Sequence, residues 1–215
     1  MTVMLSTNVK KVCVRSGWSL VGLLVLILIA FSVKRALGVL SGIEHENPFE
    51  LRYFEHPVVT ALHMLSGIVF VVLAPLQFIQ TFRNKKLNLH RQLGKLLVIC
   101  ALISGAYGMV SVAVLPAFGG LASETAGLLF GSLFMFSILR AYYCVRNTQL
   151  IAHREWMIRA FAIGLAVGTQ RVLLLLFIAI GGYGFEESFG PTLWLGFTIN
   201  ALLAEIWVNL TRKQS

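Results

Sequence analysis

Six long apolar stretches run through this chain, and short polar segments separate them. A bilayer core about 30 Å thick is crossed by a helix of about 20 apolar residues. Each stretch is close to that length, which predicts transmembrane helices at about residues 17–35, 57–80, 91–115, 124–145, 155–181 and 190–210. We therefore predict an all-α fold, an integral membrane bundle of six transmembrane helices that forms a single membrane domain over residues 1–215.

The composition agrees with this pattern and makes the lipid bilayer the first predicted partner. Hydrophobic residues make up 57% of the chain and charged residues only 13%, whereas charged residues are about 25% of an ordinary soluble domain.

The charges are sorted between alternate polar segments. Basic residues precede the first span, join the second to the third and the fourth to the fifth, and follow the sixth: Lys10, Lys11, Arg15, Arg83, Lys85, Lys86, Arg91, Lys95, Arg140, Arg146, Arg154, Arg159, Arg212 and Lys213. The other segments carry the acidic residues Glu44, Glu46, Glu50, Glu55, Glu124, Glu186 and Glu187, and only three basic ones, Lys34, Arg35 and Arg52. Because Lys and Arg collect on the cytoplasmic side, we predict a multi-pass protein of the inner (plasma) membrane with both termini cytoplasmic.

This sorting also explains the net charge of +9 without nucleic acid. We expect the basic cytoplasmic loops to meet anionic lipid headgroups and no nucleic acid to bind.

Two polar residues inside the predicted spans are candidates for a binding site. Arg171 lies beyond the middle of the fifth span, where its permanent charge needs an acceptor, water or an anionic group. His63 lies about two turns into the second span, and both residues are expected in the outer half of the bilayer, with Gln170 and Tyr107 as neighbours. They either line one pocket or are packing residues whose polar atoms are bonded within the bundle.

Two cytoplasmic helix starts carry a His-Arg pair, His90-Arg91 and His153-Arg154. A helix N-terminus favours an anion, and these side chains would add donors for a phosphate, a carboxylate or a quinone oxygen. Alternatively, His90 and His153 are axial ligands of one iron, which makes them metal ligands only if haem is present. The plain alternative is that these arginines follow the topology rule.

An ordered set of motifs resembles a family of uncharacterised bacterial multi-pass membrane proteins, known as predicted membrane proteins of unknown function. The motifs begin with His63-x-x-x-Gly67 and Pro75-Leu76-Gln77-Phe78. Leu89-His90-Arg91-x-x-Gly94-Lys95, His153-Arg154-x-Trp156-Met157-x-Arg159 and Arg171 follow. The resemblance covers roughly the second to the fifth span. It implies a helical membrane fold and marks these positions, but implies no activity.

Several functions are compatible with these residues. The favoured one is a redox or electron-transfer protein that binds haem b or a quinone through His63, His90, Arg91, His153, Arg154 and Arg171. The alternatives are a small solute or anion transporter, acting as a homodimer, and a non-catalytic membrane assembly or interaction protein. Hydrolysis ranks last because no serine has an evident His-carboxylate relay.

Overall fold

A computed structural model describes residues 7–41, 48–115 and 118–212, and all their regular structure is helical. The helices are α1 (Thr7–Ser41), α2 (Pro48–Glu55), α3 (Pro57–Phe78), α4 (Gln80–Lys85), α5 (Leu87–Val114), α6 (Gly120–Arg146), α7 (Leu150–Ala179) and α8 (Phe185–Thr211). Glu44, Glu46 and Lys213 lie outside the described residues, as do the side chains of Lys10 and Lys11.

Six of these helices are long and apolar enough to cross a membrane: α1, α3, α5, α6, α7 and α8. The predicted six-helix, all-α membrane fold is therefore confirmed. The helices extend past most of the predicted spans, since α7 begins at Leu150 and α8 at Phe185. A helix satisfies its own backbone groups, so it continues into the headgroup layer beyond the apolar stretch.

The segment between the first two predicted spans contains a short helix, α2. Pro48 provides a residue suited to the first helical turn. Glu50 then accepts two hydrogen bonds from the Arg35 guanidinium on α1, at 2.9 and 3.1 Å. This contact between residues 15 positions apart fixes α2 against α1, which no local pattern reveals.

Successive spanning helices run in opposite directions, so the bundle has two distinct ends. We call the end near α2 the α2 end; there α1 ends, α3 begins and α7 ends. We call the other end, where α1 begins and α8 ends, the terminal end. The sequence predicts that the terminal end is cytoplasmic.

Helix α7 is the centre of the bundle and α1 is at its periphery. Of the six spans, α7 has the largest buried share and α1 the smallest. Helix α7 packs against α8, α6, α1 and α3. Two glycines permit these close contacts: a Cβ on Gly164 would lie 3.3 Å from the Phe70 ring of α3, and one on Gly196 only 2.9 Å from the Ala166 carbonyl oxygen. Without a hydrophobic drive between helices in lipid, such close packing is the main source of association.

An aromatic layer crosses the middle of the bundle around the contact between Phe70 and Gly164. The Phe70 ring packs edge-on against Phe134 at 5.7 Å and lies 6.3 Å from Phe161. Phe78 lies 5.6 Å from Phe161 on the side of the terminal end. These rings separate the polar residues of the α2 end from those of the terminal end.

The two ends provide a direct test of the predicted orientation. In a chain whose three cysteines are replaced by alanine, we expect Tyr183→Cys, in the exposed turn between α7 and α8, to react with an impermeant maleimide on intact cells. Gln149→Cys, in the exposed turn between α6 and α7, should react only after lysis. The reverse labelling would contradict a cytoplasmic terminal end.

Candidate functional site

The crossing of α3 and α5 is built around His63. Its Nδ1 lies 2.8 Å from the Ser104 carbonyl oxygen, and the Ser104 hydroxyl donates to the His63 carbonyl oxygen at 2.9 Å. Glycines make room for this pair: a Cβ on Gly67 would lie 2.9 Å from Ser104 Oγ, and a Cβ on Gly108 would lie 3.0 Å from the His63 ring. The His63-x-x-x-Gly67 motif therefore positions an imidazole against a facing helix.

The hydrogen bond also determines which ring nitrogen of His63 is available. A carbonyl oxygen can only accept, so Nδ1 carries the proton and donates it. In the neutral ring Nε2 then holds a lone pair, and no described residue donates a hydrogen bond to it. His63 is an exposed residue that lines a cavity, so this acceptor is accessible within the bundle.

Arg171 is buried near the α2 end of α7, with 9% of its surface exposed. Its NH1 donates to Gln170 Oε1 at 3.1 Å, and Gln170 Nε2 donates to the Thr192 hydroxyl on α8. Phenylalanine rings surround the guanidinium, with Phe31 at 5.4 Å and Phe189 at 5.8 Å. Ring faces stabilise a buried cation, so α1, α7 and α8 together hold this charge in place.

His63 and Arg171 face one another at the same level of the bundle. Phe70 packs on Gly164, and α3 runs antiparallel to α7. His63 lies seven residues from Phe70, and Arg171 lies seven residues from Gly164, both towards the α2 end. Seven residues make about two turns and return to the same helix face within about 20°. The two polar residues therefore lie on facing helix surfaces, about 10 Å from the aromatic layer.

A cavity of about 350 Å³ lies between these helices, and both His63 and Arg171 line it. Gln170, an expected neighbour, also lines it; Tyr107 is not among its described lining residues. Most of the wall is apolar, with the rings of Phe31, Phe70, Phe118, Phe130, Phe134, Phe189 and Phe197. Ligand pockets in proteins have volumes of roughly 300–1,000 Å³ and a mostly apolar lining with a few polar groups.

The polar wall includes hydroxyls that are already engaged with the backbone. Thr60 donates to the Tyr53 carbonyl oxygen, Ser111 to that of Gly108 and Ser123 to that of Phe118. The donor hydrogens of these three hydroxyls are therefore already in use.

Two charged lining residues were not chosen as site residues from the sequence. Glu124, one turn into α6, lines the cavity and makes no hydrogen bond or ion pair with a described residue. Its position at the start of the predicted fourth span was the available signal. Arg35 also lines the cavity, with its guanidinium 3.8 Å from the Tyr53 ring centre and paired with Glu50. Both residues lie at the α2 end.

The four other predicted site residues lie at the terminal end. His153 Nδ1 lies 2.9 Å from the Ala141 carbonyl oxygen of α6. His90 is in the first turn of α5, at the same end of the bundle as His153. Arg91 is exposed, and Arg154 donates to the Thr211 hydroxyl at 3.0 Å. The structure therefore places the two histidines at the same end of the bundle, while Arg154 joins α7 to α8. Among the described residues, no three His, Cys, Asp or Glu side chains are grouped to hold a metal ion.

Arg159, the last residue of the fourth motif, also joins α7 to α8. It pairs with Glu205, with NH2 2.9 Å from Oε2. One turn nearer the α7 start, Glu155 accepts two hydrogen bonds from Arg212, each of 2.8 Å. The Glu155 carboxylate raises the pKa of the Arg212 guanidinium through this bond. We call these contacts, with Arg154 and Thr211, the α7–α8 clamp.

Residues 60–208 match a family described as predicted membrane protein (DUF2306). The chain belongs to this family. The resemblance that the ordered motifs predicted is thereby confirmed. The match begins in α3 and ends in α8, so it includes His63, Arg171 and most of the clamp, whereas α1, α2 and Arg212 lie outside it. No match was found among curated proteins or among solved structures.

The α7–α8 clamp should contribute to stability rather than to ligand binding. In a double-mutant cycle of Arg159→Ala and Glu205→Ala, we expect a coupling of about 0.5–1 kcal/mol in the free energy of unfolding, the range of partly exposed ion pairs. Thermal unfolding in detergent measures it, with Arg146→Ala at the end of α6 as a control for loss of a positive charge. Additive effects of the two substitutions would show that the pair is energetically irrelevant.

Proposed function

We propose that this membrane protein binds a quinone or its quinol in the cavity at the α2 end. The observation that supports the proposal is the placement of His63 and Arg171 on facing helices, across a cavity whose remaining wall is mostly apolar and aromatic. A quinone head is a flat ring with two polar oxygens, and its prenyl tail is soluble only in the bilayer. The cavity offers the ring apolar faces and offers its oxygens two distinct polar groups.

The two polar groups suit the two oxidation states differently. The His63 Nε2 lone pair accepts a hydrogen bond from a quinol hydroxyl, because Nδ1 is committed to the Ser104 carbonyl. The Arg171 charge favours a carbonyl oxygen, and favours still more the negative oxygen that forms when a quinol loses a proton. A base and a fixed cation around one ring are the groups needed to bind a quinol and accept its proton.

The apolar wall favours this ligand over a small hydrated anion. An ion that passes through must replace its water by polar groups along its route. The aromatic layer of Phe70, Phe134 and Phe161 lies between the cavity and the terminal end, across any such route. A lipid-soluble ring requires no such route, because it enters from the bilayer. Transport and a non-catalytic assembly role thus receive less support from the cavity.

Electron transfer from a bound quinol requires a second redox group. Haem b at His90 and His153 would supply this second redox group. That haem site stays a prediction from the sequence. The bond from His153 to the Ala141 carbonyl leaves Nε2 as the ring nitrogen with a lone pair, the tautomer that an iron ligand needs. An inner-membrane location, a homodimer and anionic lipid at the basic loops are likewise sequence predictions that the proposal includes.

Substitution of His63 by asparagine should weaken quinol binding while it preserves the helix crossing. An asparagine amide can replace Nδ1 as the donor to the Ser104 carbonyl, but it has no acceptor at the position of Nε2. We expect the Kd for a short-chain ubiquinol analogue, kept reduced under argon and measured by quenching of tryptophan fluorescence in nanodiscs, to rise about tenfold, which corresponds to about 1.4 kcal/mol. Arg171→Gln should have at least as large an effect.

His56→Asn is the matched control for this experiment. It makes the same exchange at a histidine that immediately precedes α3 and is not among the described residues that line the cavity. We expect its Kd to equal that of the unchanged protein. Unchanged binding in both His63→Asn and Arg171→Gln, with normal thermal stability, would disprove a quinone site in this cavity.

The visible spectrum tests the haem prediction separately. If His90 and His153 ligate haem b, the protein purified in mild detergent should show a Soret band and, after dithionite, a sharp α band. Both bands should be lost in His90→Ala and in His153→Ala, but kept in His63→Asn. A colourless, fully helical protein would show that haem is absent while the quinone site remains open to its own test.

A further inference from the structure

At the terminal end, several buried polar atoms have no hydrogen-bond partner among the described residues. Both amide atoms of Gln77, Nε2 and Oε1, are buried without a hydrogen-bond partner among the described residues, and so is Nδ1 of His90. Gln77 belongs to the Pro75-Leu76-Gln77-Phe78 motif, which the cavity at the α2 end does not use. Nearly all buried polar groups in folded proteins have a partner, so these atoms need an explanation.

The helix register places Gln77 within about one turn of His153 along the bundle. Gln77 lies seven residues from Phe70, on the same face of α3 as His63 but towards the other end. On α7, Met157 lies seven residues from Gly164 in that same direction, and His153 is one further turn along this face. Since Phe70 packs on Gly164, the Gln77 side of α3 faces the His153 side of α7.

The same reasoning places His90, on α5, near Gln77. On α5, His90 and Ser104 share a face within about 40°, and Ser104 contacts Gly67 and His63 of α3. The faces of α3 and α5 that meet at the His63 crossing therefore carry Gln77 and His90 at their other ends. His90 and His153 thus approach the Gln77 end of α3 from two different helices.

The chemistry of these groups limits what can satisfy them. Gln77 presents both a donor and an acceptor. His153 Nε2 is an acceptor, because Nδ1 donates to the Ala141 carbonyl. A fully ionised anion only accepts, so it would leave Gln77 Oε1 and His153 Nε2 unpaired. A hydroxyl group donates one hydrogen bond and also accepts, so it can pair with Gln77 and one imidazole. A water molecule donates two hydrogen bonds and accepts two, so it can pair with all three side chains.

We propose that Gln77, His90 and His153 form a second binding site, at the terminal end, for a neutral molecule that carries a hydroxyl group. The group comes either from buried water, which can bond all three side chains, or from a hydroxylated ring, whose single hydroxyl bonds Gln77 and one of the two imidazoles. The site is separated from the cavity by the Phe70–Phe134–Phe161 layer. It does not rest on the quinone proposal. It is the alternative to haem b at His90 and His153, because an iron would occupy the same imidazoles.

Thermal unfolding in nanodiscs tests whether the site is occupied. Gln77→Met keeps the length of the side chain and removes its amide. If a hydroxyl group bonds the amide, we expect Tm to fall by several degrees, and Gln77→Met with His90→Leu to lower Tm by less than the sum of their separate effects, because both lose one shared guest. Gln80→Met, on an exposed residue of α4, is the matched control and should leave Tm unchanged.

An empty site gives the opposite result. A buried amide without partners destabilises the fold, so its removal would raise Tm. A higher Tm in Gln77→Met, or strict additivity with His90→Leu, would overturn the proposal. So would a haem spectrum that disappears in His90→Leu, since iron would then occupy the imidazoles.

Radiolytic hydroxyl labelling gives a second readout that does not depend on the variants being stable. Met157 is buried and lies at the level of Gln77, so it should be oxidised if water is trapped beside it. Met135, packed against Gly105 near the aromatic layer, is the control and should not be oxidised. Protection of Met157 by a short-chain benzoquinol, absent in Gln77→Met, would identify a hydroxylated ring. No oxidation of Met157 and no fall of Tm together would refute the site.

Discussion

The bundle depends on the need to satisfy every polar group within the protein, because hydrocarbon offers no hydrogen-bond partner. The clearest case is the reciprocal bonding of His63 and Ser104, which joins α3 to α5 where Gly67 and Gly108 let the helices approach. This crossing sets the register of α3, and with it the positions of Phe70 and Gln77. Because the crossing engages only Nδ1, it leaves one polar atom of His63 for another partner.

Helix α7 distributes polar groups to both ends of the bundle. Towards the α2 end it carries Arg171, held among phenylalanine rings, and towards the terminal end it carries His153 and the clamp residue Arg159. Gly164 lies between them and allows Phe70 to pack closely. The aromatic layer therefore divides one continuous helix into two polar environments that can act independently.

The cavity is completed by helices that lie outside the family match. Residues 60–208 include His63 and Arg171, but Phe31 and Arg35 come from α1, and Tyr53 comes from α2. Helix α1 is the least buried span, and it packs mainly against α7 and α3. One wall of the cavity therefore belongs to the span that is least enclosed by the rest of the bundle.

The sequence by itself determined the six spans, because a bilayer requires long apolar helices whatever their partners are. It also made His63 and Arg171 candidates, since polar residues within such spans are conspicuous, and it made His90 and His153 candidates through the His-Arg pairs at two helix starts. It could not assign Arg154 and Arg159 to the clamp, because their partners Thr211 and Glu205 lie more than 40 residues away. Nor could it reveal Glu124 in the cavity wall or the unpartnered amide of Gln77, for both depend on which helix faces which. Local hydrophobicity determines that a helix crosses the membrane; only side-chain packing between helices decides its rotation, and the rotation decides which polar atoms meet.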